Sequence, residues 1–148
     1  PLLARRKCGI ILMHMRGTPQ TMQRAPRYRN VVREIVAFLR ERIAACAEAG
    51  IQRRRILVDP GIGFGKTLEH NLEILTHLEK FKALKCPLVV GVSRKRFLGV
   101  LTDQPVAEKR AVASATAGLL AALRGADILR VHDVGEQRAA LRVARAIL

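Results

Sequence analysis

The sequence predicts an α/β protein built on a parallel sheet. Two observations carry this: short apolar runs begin near residues 9, 56, 88 and 128, and each is followed by a loop and a stretch with helical periodicity. Strands that alternate with helices make parallel neighbours joined by right-handed crossovers. A third observation concerns function, because every run ends in polar or ionisable residues.

The first run, Cys8-Gly9-Ile10-Ile11-Leu12-Met13, is continuously apolar, as expected for a strand buried on both faces of a parallel sheet. It finishes at His14-Met15-Arg16-Gly17-Thr18-Pro19. After Pro26, residues Val31, Val32, Ile35, Val36, Leu39, Ile43 and Ala47 recur at helical spacing, and Gly50 supplies the stop. The second strand spans about Ile56 to Asp59 and runs through a glycine-rich loop into a helix carrying Leu72, Leu75, Leu78 and Phe81. Pro87 then interrupts. Leu88-Val89-Val90-Gly91-Val92 is the third strand and leads into Ser93-Arg94-Lys95-Arg96. A loop through Pro105 precedes a helix rich in small residues, from about Ala107 to Leu123. Gly125 ends it, Ile128 to Asp133 forms the fourth strand, and a final helix places Leu141, Val143 and Ile147 on or near one face.

The stretch Asp59-Pro60-Gly61-Ile62-Gly63-Phe64-Gly65-Lys66-Thr67 is the centre of the chemistry. A carboxylate at the carboxyl end of a buried strand is held rigidly, and glycines after it let backbone approach a ligand closely. Gly65-Lys66-Thr67 is not a phosphate-binding P-loop, because the position six before Lys66 is Pro60 rather than glycine. The glycines at 61, 63 and 65 are spaced by two throughout, which also excludes the dinucleotide fingerprint.

In a parallel sheet the carboxyl ends of the strands share one rim. His14 and Arg16, Asp59, Ser93 and Lys95, and Arg130 and His132 therefore converge in space although they are dispersed in sequence. Taken singly each has a structural reading: His14 or His132 as a satisfied buried histidine, Arg130 as an ion-pair partner, Lys95 as a solvated charge at a helix start. Together they describe a site for a flat polar ring joined to an anionic group. Asp59 would accept hydrogen bonds from an amidine-like edge, Lys95 would donate to a ring carbonyl or nitrogen, Phe64 would offer an apolar face and Met13 a floor. Arg130 and His132, one residue apart on a strand, would share a side and hold an anion such as phosphate. No Ser or Cys nucleophile is paired with a base, so covalent catalysis is not indicated.

Composition sets the outer limits. The 148 residues, 49% hydrophobic and 26% charged, suit one globular domain. No apolar run approaches the roughly 18 residues of a membrane span and no leader pattern opens the chain, so a soluble, cytoplasmic protein without membrane partners is expected. Pro1 to Lys7 lacks an initiator Met, and the start reads as cut from something longer. Cys8, Cys46 and Cys86 lie far apart and suggest neither disulfides nor a zinc site. The net charge of +15 favours anionic partners, but with 3% aromatic residues there are few platforms for stacking bases, so small anionic ligands are favoured over nucleic acid.

Four motifs in order, Leu12-Met13-His14-Met15-Arg16-Gly17-Thr18-Pro19, Asp59 to Lys66, Gly91-Val92-Ser93-Arg94-Lys95 and Arg130-Val131-His132-Asp133-Val134, resemble those of dihydropteroate synthase. The resemblance runs from about Cys8 to the end. It implies the second half of a (β/α)8 TIM barrel, four parallel strands alternating with helices, with residues 1–148 forming a partial pterin-binding domain. The implied reaction condenses 6-hydroxymethyl-7,8-dihydropterin pyrophosphate with p-aminobenzoate to give dihydropteroate and pyrophosphate. Carried over by position, Asp59 is similar to the pterin-recognising carboxylate and Lys95 to the second pterin ligand. Met13, Gly63 and Phe64 resemble pocket residues, and Ser93 resembles one on the aminobenzoate side. Arg130 and His132 resemble the pair that binds the leaving pyrophosphate. Lys95, Arg130 and His132 would then be the catalytic groups, stabilising charge as pyrophosphate departs and the amine attacks the pterin-methyl cation.

The resemblance also implies magnesium, with no metal ligand expected in this chain, and a homodimer. A whole barrel takes about 200 residues or more, so the implied loops, metal-binding Asn and further pterin ligands of the first half are not in this sequence, and the 148 residues alone are expected to be inactive. Two unpaired strand edges are expected, at the Ile10 and Ile128 strands. Related pterin-binding barrels that transfer a methyl group, or a non-catalytic pterin-binding remnant, are the alternatives.

Overall fold

The computed structural model describes residues 2–148, so that Pro1 falls outside it. Four strands, β1 (Ile10–Met13), β2 (Ile56–Asp59), β3 (Val89–Val90) and β4 (Ile128–Leu129), alternate with helices α1 (Val31–Glu48), α2 (Leu68–Thr76), α3 (Arg96–Leu101), α4 (Ala111–Leu123) and α5 (Val134–Ile147). β1 and β2 pair in parallel from Ile10 opposite Ile56 to Met13 opposite Asp59. β3 and β4 pair in parallel through Val89 opposite Ile128 and Val90 opposite Leu129. A parallel bridge between Val58 and Leu88 joins the two pairs, with Val58 N donating to Pro87 O at 2.9 Å. The strands therefore lie side by side in sequence order, and all four carboxyl ends share one rim.

The central strands are as buried as their apolar runs predict: Val58, Val89 and Val90 are buried. The outer two are not. Ile11 is 52% exposed and Ile128 44% exposed, because β1 and β4 have a strand neighbour on one side only. Strands three and four are also shorter than their apolar runs. The ladder stops at Val90 and Leu129, Arg130 N makes one more bond to Val90 O at 3.0 Å, and the chain then turns at Arg94, whose φ of +57° is left-handed.

α1 starts where its cap chemistry dictates. Asn30 accepts from Arg33 N, Glu34 Oε1 accepts from the backbone N–H groups of Arg29 and Asn30, and Val31, Val32, Ile35, Leu39 and Ile43 face the core. Thr67 and His70 form a reciprocal cap for α2. The single helix expected over Leu72 to Phe81 is two pieces. α2 ends at Thr76, a 3-10 segment covers Leu78–Leu84, and this break turns Leu78, Phe81 and Leu84 inward while Leu72 stays exposed. The helix expected from Ala107 likewise begins as a 3-10 turn, Ala107–Arg110. α3 lies where a loop was expected, since six residues are too few to show a period. In α5, Val143 and Ile147 are exposed, and the buried contact with α4 is made by Gln137 beside Gly118. No helix of the described residues is long and apolar enough to cross a membrane.

One buried guanidinium ties the third βα connection together. Arg110 donates from Nε to Gln104 O at 2.8 Å, from Nη1 to Arg94 O at 3.0 Å and from Nη2 to Pro105 O at 2.5 Å. Replacing Arg110 with Met leaves three carbonyls without these donors, and a loss of about 3 kcal/mol is expected from the usual cost of unmade charged bonds, read as a lower urea-unfolding midpoint.

Candidate functional site

Asp59 ends β2 and is 3% exposed. Its Oδ1 accepts from Gly61 N at 2.7 Å, a turn that Gly61 alone can make: its φ is +69° and a Cβ there would collide with the carbonyl oxygen of His14. Burial raises the Asp59 pKa above the ordinary carboxylate value. The Gly61 N–H and then the charges of Arg130, Lys95 and Lys66 oppose this rise. The carboxylate thus lies in the field of three cations, carried by the chain that follows β2, β3 and β4. Met13, across β1, packs against Gly61.

The glycine-rich loop is held at each of its central carbonyls. Gln23 Nε2 donates to Gly63 O at 2.8 Å, Lys66 Nζ to Phe64 O at 2.9 Å and Tyr28 Oη to Gly65 O at 2.9 Å. Asn71 Oδ1 accepts from Gly63 N at 2.7 Å. The Phe64 ring so fixed carries Lys95, whose Nζ lies 3.9 Å from the ring centroid. Burial, then Arg130, lowers the Lys95 pKa, while Asp59 raises it.

Beyond β3 and β4 a cavity of about 410 Å³ is lined by Ser93, Lys95, Glu108, Arg130 and His132, among others. Arg130 and His132 follow the end of β4 rather than lying on it, so strand alternation does not place them; the loop after Leu129 does. The Ser93 hydroxyl accepts from His132 N at 3.1 Å and lies 3.0 Å from His132 Nδ1, so it orients the imidazole. Arg94, which also lines this cavity, forks onto Asp133 at 2.5 and 3.1 Å, and this holds the Asp133 pKa below the carboxylate norm. A larger cavity of about 650 Å³, between α2, α3 and α4, is mainly apolar and lies away from this rim.

Asp59, Met13, Gly63, Phe64, Ser93, Lys95, Arg130 and His132 are therefore brought to one end of the sheet. Arg16 is not part of that group. Its guanidinium pairs with Glu34 at 2.7 Å, bonds Arg27 O and stacks 4.0 Å from the Tyr28 ring centroid. His14 is buried in the structural manner, edge-on to Phe38 at 5.0 Å. Residues that the sequence did not single out are Lys66, Tyr28, Gln23 and Asn71, which hold the loop. Lys66 alone carried a signal, as the last residue of the glycine motif.

The magnesium that the resemblance implies does not fit these residues. The acid at the centre of the rim faces three cations, and among the described residues no three of His, Cys, Asp and Glu lie together to hold an ion.

A family model described as "Pterin binding enzyme" matches residues 1–132. The chain belongs to the pterin-binding enzyme family. Dihydropteroate synthase of Escherichia coli (strain K12) is 45% identical over 139 residues, covering 94% of this chain and 49% of that protein. The crystal structure of dihydropteroate synthase from Stenotrophomonas maltophilia superposes with a TM-score of 0.91 at 44% identity, covering 94% of this chain and 52% of that one. The enzyme from Xanthomonas albilineans in complex with 7,8-dihydropteroate also gives 0.91, at 45% identity, covering 98% of this chain and 54% of that one. The chain spans about half the length of these relatives.

His14 sets an expectation for pH. Burial, then the charges of Lys66 and Arg16, lowers its pKa from 6.5 to about 4. The unfolded chain takes up this proton near 6.5 and the folded chain only near 4, so stability is full above 6.5 and falls as pH drops to 4. The expected loss is on the order of 2 kcal/mol, allowing for screening. Lys66, lowered from 10.5 to about 7, adds a slope of the same sign at higher pH. Urea unfolding at pH 6.5 and pH 4.5 reads the first slope, and a His14→Phe variant should flatten it.

Proposed function

We propose that this chain is the second half of a dihydropteroate synthase (β/α)8 barrel, a partial pterin-binding domain that supplies the pterin and pyrophosphate walls of the site. The observation that carries the reading is the buried Asp59 carboxylate, set at a strand end among Lys66, Lys95 and Arg130. A lone buried acid surrounded by cations suits a neutral heterocycle. The amidine-like edge of a dihydropterin donates two hydrogens to Asp59, and Lys95 donates to the ring carbonyl or a ring nitrogen. Met13, Gly63 and Phe64 line the flat faces of the ring.

The second substrate group follows from the neighbouring cavity. Arg130 and His132 hold the pyrophosphate as the bond from the pterin methylene carbon to the phosphate oxygen breaks. The electron pair leaves on the oxygen, where these groups offset the negative charge. The p-aminobenzoate amine, on the Ser93 side, then forms the new carbon–nitrogen bond and releases its proton. Lys95 and Arg130 act by position and charge, with no covalent enzyme intermediate.

The fold match and the half-length coverage support the barrel reading; the exposed faces of Ile11 and Ile128 are where further strands would pair, in this protein or in a homodimer of it. On this reading the 148 residues bind the dihydropterin but lack the walls that position the amine.

Titration of the chain with dihydropterin pyrophosphate, with binding and pyrophosphate release followed separately, tests both parts. Binding is expected and Asp59→Ala is expected to weaken it about 100-fold, the value of a charged hydrogen-bonded pair. Binding unchanged in Asp59→Ala overturns the assignment of the pterin wall, and steady turnover by the chain alone overturns the half-site reading.

A further inference from the structure

Lys66 is a buried cation that the substrate contacts above do not use. It is 4% exposed and forms no ion pair among the described residues. A buried charge without an adjacent counter-ion is costly, and a methionine would fill the same space without that cost. Its ammonium has two partners, both under the ligand-facing loop: Phe64 O at 2.9 Å and His14 Nδ1 at 3.1 Å. Since Nδ1 must accept from an ammonium, the imidazole is neutral with its proton on Nε2. His14 is in turn fixed to the strand end, because its backbone N donates to Asp59 O at 3.0 Å.

The connections run from Lys66 to the Phe64 and Lys95 side of the proposed pterin wall. The Phe64 carbonyl it holds belongs to the residue whose ring carries Lys95. The carbonyls on either side, of Gly63 and Gly65, are held by the neutral groups of Gln23 and Tyr28, so Lys66 is the one charged anchor of the three. It also shares the field of Asp59. Resting on the pterin reading above, we propose that Lys66 is a positioning residue of the dihydropterin site: seated on neutral His14, its ammonium fixes the Phe64 carbonyl and so holds the loop that places the Phe64 ring and Lys95 beside Asp59.

The electrostatics around Lys66 agree with this geometry. Burial, opposed by Asp59 and aided by Arg16 and Lys95, lowers the Lys66 pKa to about 7. The ionisable groups around it are His14 and Arg16 after β1, Asp59 at the end of β2 and Lys95 after β3, with Tyr28, Glu34 and His70 behind His14 and Arg16. Arg130 reaches it through Asp59. As pH rises through neutrality, Lys66 loses its proton, and with it the charged anchor.

The test is calorimetric titration of the chain with dihydropterin pyrophosphate between pH 5.5 and 9, for the wild type, Lys66→Met, Lys66→Arg and Asp59→Ala, with urea unfolding of each. The expected result is weakening by tenfold or more in Lys66→Met at pH 6, beyond any fall in the unfolding midpoint, because removing the buried charge offsets the two acceptors, Phe64 O and His14 Nδ1, that lose their donor. Wild-type affinity is expected to decline above about pH 7, and Lys66→Arg, which stays charged, is expected to bind without that decline. If Lys66→Met does not fold, the difference between the wild-type and Lys66→Arg profiles decides the matter by itself. Wild-type affinity in Lys66→Met, binding lost only in proportion to stability, or identical pH profiles for wild type and Lys66→Arg would overturn the positioning role while leaving the pterin reading intact. Failure of the wild type to bind, or Asp59→Ala binding as wild type does, would overturn the pterin reading and this inference with it.

Discussion

The burial of one carboxylate organises this molecule. Asp59 sits at the end of a strand whose residues are almost wholly enclosed, and removing its charge from water costs more than any single nearby bond returns. The surroundings answer with a backbone N–H at 2.7 Å and with cations from the ends of three strands. Those cations in turn need their own supports. Phe64 lies under Lys95, His14 under Lys66, and Gly91 gives Arg130 the room to lie against the sheet end. The glycine spacing, the short strands and the buried histidine become one arrangement once the acid is placed at its centre.

Rigidity at this rim comes from side chains that bond to the backbone of the rim loops. Gln23, Tyr28, Lys66 and Asn71 hold the loop after β2, and Arg110, Ser114 and Asp133 hold the loop after β3. Loops of this kind carry function on a fixed scaffold, and here three successive carbonyls of the glycine stretch have three different donors, two from the loop after β1 and one from the stretch itself. The net charge of +15 has the same origin in part: several arginines act as struts, with Arg53, Arg55 and Arg110 all spent on backbone carbonyls.

Most of the scaffold was legible in the chain. Periodicity located α1 and its stop at Gly50, and the apolar runs located all four strands, because a strand enclosed in a parallel sheet has no polar face to show. Legibility failed where neighbours rather than local pattern decide. Leu78 and Phe81 continue the spacing of α2, yet the chain breaks at His77 because packing under α1 pulls them inward. The six residues of α3 hold too little pattern to be seen. Arg16 carries the same charge as Arg130 and stands at an equivalent strand end, but Glu34 and Tyr28 claim it.

The sequence by itself determined the order of the strands and their parallel pairing, since hydrophobic period and strand polarity are local properties that survive any packing. It also determined the glycine turn after Asp59, where a side chain has no room. Tertiary structure alone decided which charges face the acid, how long the strands run and that Lys66 is buried on a neutral histidine. Those outcomes depend on distances between residues about 50 positions apart, such as Lys66 and His14, and the energy of a buried charge is set by what surrounds it in space.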